Sequence, residues 1–405
     1  MLIEGLYSEA SRGDKTGFEL RVEGVRVWGQ GIRRMLSIEY PMGSPVRPIT
    51  PAVRRNGCSS ISPFLPSVCV LVLVLVLACG LQGCAALEGA RPDIRQAEQD
   101  LSRSFNGVVL AEDAGRIVSF AAYGQASHGV PTTTRHRFRI GSVTKTFTSA
   151  MIARLEEQGK LGIDDPLSKH LPGFPGGDAI TLRHLIDHRS GIRDLSQHDF
   201  KSLMLREEPI ELRDVVAVLQ SKKAVSQPGA KRSYNNAGYI LLGAVIERVT
   251  GKTYAVAVQD EFLSPLGMDD TGYAVFDSEV EGLATGHLSG MKPDPQRYNY
   301  SGILAAGGMY STAEDLRTWA HALDSLGAEW YRKDRLGWTT GERYNRDAAW
   351  HTGNTNTYAA LLVRFPTSDS CLVVLSNEAR EGIPAEVRTM ARAAFERASA
   401  PASPR

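Results

Sequence analysis

Several common functional signals are missing from this sequence. No Cys-x-x-Cys and no His-Glu-x-x-His pattern occurs in its 405 residues, so the usual zinc motifs are absent. Its 46 basic and 45 acidic residues leave a net charge of only +1, without the basic excess of a nucleic-acid-binding protein. We therefore expect no metal, no cofactor and no nucleic-acid partner.

Cysteine is scarce in most of the chain. Four of the five cysteines lie in the first 84 residues: Cys58, Cys69, Cys79 and Cys84. Only Cys371 lies beyond them, which excludes a disulfide framework in the rest of the chain. The short apolar run Cys371–Leu375 predicts a buried strand, with the cysteine as a small core side chain.

The longest apolar run is too short to cross a bilayer as a helix. It extends from Val68 to Ala78 after the basic pair Arg54-Arg55, whereas a transmembrane helix needs about 20 residues. A basic stretch before a short apolar core is typical of a secretory signal. The run is followed by Leu81-Gln82-Gly83-Cys84, which resembles the bacterial lipobox. Cys84 is therefore the expected lipid attachment site.

This interpretation predicts an exported protein of the bacterial cell envelope, anchored to a membrane by acyl chains on its periplasmic or extracellular face. An ordinary signal peptide cleaved nearby is the alternative. We assign residues 1–83 to an N-terminal extension and lipoprotein signal segment, 84–98 to a tether and 99–398 to one folded domain. Translation is expected to start at Met42 or Met35.

Strand-like segments lie at both ends of this domain. Asn106–Ala111 and Ile117–Tyr123, separated by the turn-like residues 112–115, predict a β-hairpin, and Tyr358–Phe365 and Leu372–Leu375 predict two further strands. A helix with an apolar stripe from Val143 to Leu155 is predicted to stop at Gly159, and two further helices are predicted over Ala237–Val249 and about Pro384–Ala398. The pattern indicates an α+β fold, in which an antiparallel sheet is flanked by helices and a mostly helical insertion fills the middle.

The first chemistry-bearing motif is Ser142-Val143-Thr144-Lys145. A serine hydroxyl is a poor nucleophile until a nearby base accepts its proton. At the start of a helix, Ser142 and Lys145 share one face, and a desolvated lysine has a lowered pKa. A second Ser-x-x-Lys, Ser289–Lys292, precedes a proline-rich loop with no helix behind it. The context therefore favours Ser142.

Two further motifs are weak in isolation. Tyr234-Asn235-Asn236 is the only Tyr-x-Asn in the chain, and a helix cap beside a packed tyrosine would explain it equally well. His351-Thr352-Gly353 precedes strand-like sequence and could be an ordinary strand entry. A glycine there allows a substrate to approach the strand backbone, whose N–H groups can stabilise an oxyanion.

The three motifs together, in this order, resemble those of class C β-lactamases and their esterase and D-peptidase relatives. The sister pattern of class A enzymes has serine where this chain has Tyr234. The resemblance covers about residues 100–395 and implies a β-lactamase/transpeptidase-like fold. It includes stretches for which it implies no catalytic role: His184–Ile192, Pro265–Met268 and Ala306–Thr312.

The resemblance also implies a role for each motif residue. Ser142 is the expected nucleophile that becomes acylated, and Lys145 and Tyr234 the expected proton carriers, with the identity of the base left open. The expected substrate-binding residues are Asn236, His351, Gly353 and Asn354. The backbone N–H groups of Ser142 and Asn354 would bind the oxyanion.

His351 departs from the pattern, because true β-lactamases and carboxypeptidases usually carry lysine at this position. The expected activity is therefore that of a serine hydrolase cleaving an amide or ester of a small molecule or peptide. A D-amino-acid peptidase, a true β-lactamase and an inactive ligand-binding module are the alternatives. With an ordinary pKa of about 6.5, His351 would be about a quarter protonated at pH 7.

Overall fold

A computed structural model describes residues 19–22, 25–28, 94–288, 298–325, 336–379 and 384–396. The chain divides into two units, residues 1–81 and 82–405. The predicted signal run, Cys84 and the second Ser-x-x-Lys lie outside the described residues. Among the described helices, none combines the length and apolar character needed to span a bilayer.

The first unit contains one described antiparallel hairpin, β1 with β2. The strands, in chain order, are β1 Glu19–Val22, β2 Val25–Trp28, β3 Gly107–Asp113, β4 Arg116–Tyr123, β5 Gln125–Ser127, β6 Val130–Pro131, β7 Phe138–Arg139, β8 Gly272–Tyr273, β9 His287–Leu288, β10 Met309–Ser311, β11 Thr339–Arg343, β12 Arg346–Asn354, β13 Ala359–Phe365, β14 Ser370–Ser376 and β15 Glu378–Ala379.

All described helices belong to the second unit. The α-helices are α1 Ile94–Ser104, α2 Thr144–Glu157, α3 Leu167–His170, α4 Leu182–Ile186, α5 Gln197–Met204, α6 Leu212–Gln220, α7 Asn236–Thr250, α8 Tyr254–Val258, α9 Ser264–Leu266, α10 Leu304–Gly307, α11 Ala313–Ser325 and α12 Ala385–Glu396. The single turns are 3₁₀ turns at Gly141–Val143, Asp277–Glu279 and Ser301–Ile303, and a π turn at Gln259–Leu263.

The centre of the second unit is a six-stranded antiparallel sheet in the order β11-β12-β13-β14-β3-β4. Strands β3 and β4 come from the start of the domain, and β11 to β14 come from its end. The junction is between β14 and β3, where Cys371 lies opposite Glu112. This topology confirms the prediction of one antiparallel sheet built from both ends of the domain.

Both faces of the sheet are covered, because alternate residues of each strand point to opposite sides. In β3, Val109 and Ala111 pack with α1 and α12, whereas Val108 and Leu110 pack into the larger core that contains α2 and α7. In this larger core Phe147 of α2 stacks on Trp319 of α11 at a ring distance of 4.0 Å. Such double coverage explains why β3 and β14 are nearly continuous apolar runs.

The predicted helices are close to the observed ones. Helix α7 is capped by the side chain of Asn235, which accepts the Gly238 N–H at 2.8 Å, and ends at Gly251, where φ is +68°. Cys371 is buried in β14, as its apolar run predicted. Capping residues were therefore sufficient to define helix α7, and the apolar run was sufficient to define strand β14.

The predicted turn of the first hairpin is too long. Strand β3 continues through Glu112 and Asp113, and the turn itself consists only of Ala114 and Gly115, both with positive φ. The two carboxylates are buried because basic side chains distant in sequence pair with them: Arg317 with Glu112 and Arg346 with Asp113. A turn prediction based on local polarity could not include these partners.

Helix α1 begins inside the segment predicted as a tether. It starts at Ile94, and Ala97 and Leu101 are buried with residues of α12 such as Met390. The last five residues of the predicted tether 84–98 are therefore helical. The remaining domain boundaries stay a prediction.

Candidate active site

Ser142 lies in the 3₁₀ turn between β7 and α2. It is the only residue from Phe138 to Ala153 that is not buried. Gly141 precedes it with a φ of +49°, a backbone conformation that favours glycine. The turn therefore exposes one hydroxyl just before a helix whose first ten residues, Thr144 to Ala153, are buried.

Lys145, one turn later, is completely buried and points back to this hydroxyl. Its Nζ donates to Ser142 Oγ at 3.0 Å, to Asn236 Oδ1 at 2.9 Å and to the carbonyl of Ala306 at 2.5 Å. All three acceptors are uncharged. Burial lowers the pKa of Lys145 to about 7, although the carboxylate of Asp194 acts in the opposite direction. At neutral pH a large fraction of molecules therefore has an amine able to accept a proton.

Tyr234 brings its hydroxyl to the same serine. The oxygen is 2.6 Å from Ser142 Oγ, although 47 % of the residue is exposed at the mouth of the cleft. Desolvation raises the pKa of Tyr234 to about 12, against the opposing effect of the hydrogen bond with Ser142. The phenol thus keeps its proton at neutral pH and can pass it on, while Lys145 is the better acceptor.

Asn236 is oriented by a residue that the sequence analysis missed. The carboxylate of Asp194 accepts the backbone N–H of Asn236 at 3.0 Å, that of Ala237 at 2.9 Å and the Asn236 side-chain amide at 3.4 Å. This leaves Asn236 Oδ1 directed to Lys145. The backbone N–H groups at a helix N-terminus require hydrogen-bond acceptors. No sequence motif indicated that the acceptor would be Asp194, which lies more than 40 residues before Asn236.

Strand β12 lies directly against the loop that carries Ser142. A side chain at Gly353 would put a Cβ 1.9 Å from the Ile140 carbonyl oxygen and 3.1 Å from Ser142 N. A Cβ on Gly141 would lie 2.9 Å from Asn354 N. The glycines therefore allow two backbone segments to approach each other, and the N–H groups of Ser142 and Asn354 belong to these segments.

His351 is buried in β12 and is uncharged. Its Nδ1 lies 2.7 Å from the carbonyl oxygen of Thr352, so this nitrogen carries the proton and donates it. Burial and, secondly, the charge of Lys145 lower the pKa of His351 to about 4. The prediction that a quarter of His351 is protonated at pH 7 was thus too high, because it used the pKa of an exposed imidazole.

A cavity of about 300 Å³ opens above Ser142. Its walls are formed by Gly141, Ser142, Phe200, Met204, Tyr234, Asn236, Ile303, Ala306, Gly307, His351, Thr352, Asn354, Thr355 and Asn356. With His351 neutral, none of these described wall residues is charged at pH 7. The seven site residues predicted from the sequence, apart from the lipidation site, all line this cavity or contact its walls.

A separate group of potential metal ligands lies in the sheet. Side-chain ligand atoms of Glu112, His321 and Cys371 lie within 4.8 Å of one another. Arg317 already binds the Glu112 carboxylate, and Arg364 Nη1 lies 3.2 Å from His321 Nδ1. Both guanidinium groups oppose the binding of a cation. The prediction that the protein uses no metal remains untested.

Comparisons with known proteins agree with this geometry. The family model described as Beta-lactamase matches residues 94–396. Penicillin-binding protein 4* of Bacillus subtilis is 27 % identical over 310 residues, which are 68 % of each chain. The teichoic acid D-alanine hydrolase of Staphylococcus aureus is 30 % identical over 235 residues, only 56 % of each chain.

Solved structures show the same fold. A penicillin-binding protein from Bacillus halodurans has a TM-score of 0.62 at 27 % identity, covering 74 % of this chain and 97 % of the other. D-amino acid amidase from Ochrobactrum anthropi has a TM-score of 0.67 at 23 % identity, covering 76 % and 100 %, a likeness of fold alone. These matches confirm the predicted β-lactamase/transpeptidase-like fold. The chain belongs to the Beta-lactamase family, and it is a serine hydrolase of that family.

Proposed function

We propose that this protein hydrolyses an ester or amide through an acyl-enzyme on Ser142. Ser142 Oγ bonds to the substrate carbonyl carbon while its proton passes to Lys145 Nζ. The leaving oxygen or nitrogen departs with a proton supplied through Tyr234, which regains a proton from Lys145. Water then attacks the carbonyl carbon of the acyl-enzyme and gives a proton to Lys145. The bond to Ser142 Oγ breaks, the acid is released, and the serine oxygen regains its proton from Lys145. The observation that carries the proposal is the 3.0 Å contact from Ser142 Oγ to a buried amine whose pKa is about 7.

Backbone groups complete the proposed reaction. The N–H groups of Ser142 and Asn354 stabilise the negative oxygen of the tetrahedral intermediate, a contribution that such donors typically make at about 3 Å. The amide of Asn236 holds the acyl side of the substrate, because its carbonyl oxygen is already directed to Lys145. Gly353 permits the close approach of β12 that these contacts require.

The preferred substrate of this proposal carries no charge near the scissile bond. The described cavity wall contains apolar side chains (Phe200, Met204 and Ile303) and polar uncharged groups, without a cation to pair with a carboxylate. Burying an unpaired carboxylate against such a wall is unfavourable. We therefore favour a neutral ester or amide over a penicillin or a peptide that ends in a free carboxylate.

A second candidate is hydrolysis of a D-amino acid ester or amide. It is favoured by the likeness to a teichoic acid D-alanine hydrolase, which is 30 % identical over 235 residues. D-peptidase and β-lactamase activities are the remaining enzyme alternatives. Rates with p-nitrophenyl esters, D- and L-amino acid amides and nitrocefin distinguish these substrate classes, and a preference for D-amides would replace the first candidate by the second.

The test of the shared mechanism is Ser142→Ala, with Ser149→Ala as control. Ser149 lies in α2, the helix that follows the turn carrying Ser142, but its hydroxyl is buried and donates to the Lys145 carbonyl. We expect the Ser142 variant to fold and to retain less than about 1 % of the activity. A fluorophosphonate should add its mass to Ser142 in the wild type and the control. Labelling elsewhere, or none at all, would favour another nucleophile or the inactive binding module.

We also propose that the enzyme is a lipoprotein of the cell envelope, attached through Cys84. The support is the lipobox-like sequence after the apolar run. Cys84→Ser should move the protein from the membrane pellet to the soluble fraction, whereas Cys79→Ser should leave it in the pellet. Retention of the Cys84 variant in high-salt pellets would show that the anchor lies elsewhere.

A further inference from the structure

His188 lies beneath the catalytic tyrosine, in a stretch to which the family resemblance gave no role. Its exposed fraction is only 2 %, and its φ is +58°, an uncommon value for a residue other than glycine. Backbone strain of this kind persists only where the surroundings fix it. The contacts of His188 show which residues hold it in this conformation.

His188 holds the chain on both sides of Tyr234. Its backbone carbonyl accepts the N–H of Ser233 at 2.8 Å, and its Nδ1 accepts the N–H of Asn235 at 3.1 Å. Its ring also lies against the Tyr234 ring, with centroids 4.5 Å apart. One residue therefore fixes both neighbouring amides and one face of the tyrosine.

The contact with Asn235 also defines the protonation state of His188. A backbone N–H can only donate, so Nδ1 must present its lone pair and the ring proton must lie on Nε2. Burial, followed by the charge of Lys145, lowers the pKa of His188 to about 3, in agreement with a neutral ring. Among the described residues, none accepts a hydrogen bond from Nε2.

We propose that His188 is a positioning residue that holds the Tyr234 hydroxyl at Ser142. The inference rests on the proposed role of Tyr234 in proton transfer. The hydroxyl lies 2.6 Å from Ser142 Oγ, so a displacement of about 1 Å would break this contact. Misplacement of a reacting group by that distance can reduce a rate about 100-fold.

The first experiment compares His188→Gly with His188→Asn. Glycine tolerates the positive φ but removes both the ring and the Nδ1 acceptor. Asparagine also tolerates this conformation, and its Oδ1 is attached to Cγ as Nδ1 is in histidine, so it can accept the Asn235 N–H. We expect kcat/KM for an ester to fall about 10- to 100-fold in the glycine variant. The asparagine variant should recover to within about threefold of wild type.

Rates are divided by the concentration of folded protein, which is measured by circular dichroism and by titration with a fluorophosphonate over a long incubation. Partial unfolding of a variant is then not mistaken for a loss of catalytic activity. The pH profile of the asparagine variant should match that of the wild type, because a neutral His188 does not titrate near neutral pH. An asparagine variant as inactive as the glycine variant would overturn the proposal, and so would an altered pH profile.

The decisive measurement is a double-mutant cycle with Tyr234→Phe. If His188 acts through the tyrosine hydroxyl, His188→Gly should reduce the rate of the Tyr234→Phe enzyme by less than about twofold. A full additional loss would mean that His188 acts independently of the hydroxyl, and the inference would be wrong. If Tyr234→Phe alone retains wild-type activity, the proposed role of Tyr234 fails instead, so the two failures are distinguishable.

Discussion

Lys145 in the active site and Glu112 in the sheet are both completely buried, and the protein treats these two ionisable side chains in opposite ways. Lys145 is surrounded by uncharged acceptors, and burial lowers its pKa to about 7. Burial alone would raise the pKa of Glu112, but hydrogen bonds from Arg317 and His321 outweigh it and hold the pKa below its ordinary value. One group is left reactive and the other is kept ionised.

The difference shows how a protein separates chemical from structural use of a buried charge. A partner of opposite charge stabilises the ionised form, and the group then titrates far from neutral pH. Without such a partner the ionised and neutral forms have similar free energies near pH 7, which a general base requires. The absence of a contacting carboxylate at Lys145, among the described residues, is therefore a functional feature.

The largest expected effect is that of Lys145→Met, which removes the buried amine next to Ser142. Because general-base catalysis typically contributes 10²- to 10⁴-fold, kcat/KM should fall by about 10³-fold. Lys169→Met, at a residue with 57 % of its side chain exposed, is the control and should be fully active. Appreciable activity in the Lys145 variant would assign the role of base to another group.

Lys145 should also leave a signature in stability. Its pKa in the folded protein, about 7, lies below the unfolded value of 10.5, so the unfolded chain binds one more proton between these pH values. The free energy of unfolding should therefore rise in this window by up to about 1.4 kcal/mol per pH unit. Urea titrations at pH 7 and pH 9 should show this rise in the wild type but not in Lys145→Met.

Glu112→Gln removes the charge of the buried carboxylate in the sheet. This change should lower the stability of the protein and leave its catalytic activity intact. Removal of one partner from a buried ion pair typically costs 3–5 kcal/mol, because the remaining charge is left uncompensated. We expect a loss of about this size in urea, with kcat/KM per folded molecule unchanged. Glu342→Gln on the exposed side of β11 is the control. A selective loss of activity in the Glu112 variant would contradict the division of roles.

The pH dependence of the Glu112 contribution has the opposite sign to that of Lys145. Its folded pKa lies below the ordinary carboxyl value, so the stabilisation is complete above the unfolded pKa and is lost as the pH falls through the folded pKa. The stability difference between wild type and Glu112→Gln should therefore shrink on acidification from pH 5 toward pH 3. A difference that is constant over this range would indicate that the carboxylate charge is not involved.

A smaller effect is expected of His351→Lys, which would place a cation in the uncharged wall of the cavity. A charge-assisted contact with a substrate carboxylate is worth about 1.5–3 kcal/mol, or roughly 10- to 100-fold in rate. The ratio of kcat/KM for a cephalosporin to that for a neutral p-nitrophenyl ester should rise by this factor. Efficient cephalosporin hydrolysis by the wild type would refute the idea, as would a variant that gains nothing.

The sequence predicted the parts of this molecule that depend on local pattern. The three motifs identified Ser142, Lys145 and Tyr234, and capping residues identified helix α7. It missed interactions between segments distant in sequence. Examples are the Ala306 carbonyl at Lys145, and Asp194 beneath Asn236.

Burial created the same limitation for electrostatics. His351 was assigned an ordinary pKa because a sequence does not show how completely a strand residue is enclosed. Glu112 and Asp113 were assigned to a turn because their basic partners, Arg317 and Arg346, lie more than 200 residues further along. In each case a polar residue that the sequence suggested would be exposed is buried by parts of the chain distant in sequence.

The junction between β14 and β3 has a consequence for the synthesis of the enzyme. It joins Cys371 to Glu112, which are 259 residues apart, and contacts of such long range make folding slow. Ser142, the proposed nucleophile, is synthesised early, but β12, the strand that faces it, is held in place only when β14, the last strand of the sheet in chain order, is available. We therefore expect a nascent chain ending before Ser370 to be unreactive to fluorophosphonate although it contains Ser142. Hydrolytic activity would thus begin only when the domain is complete.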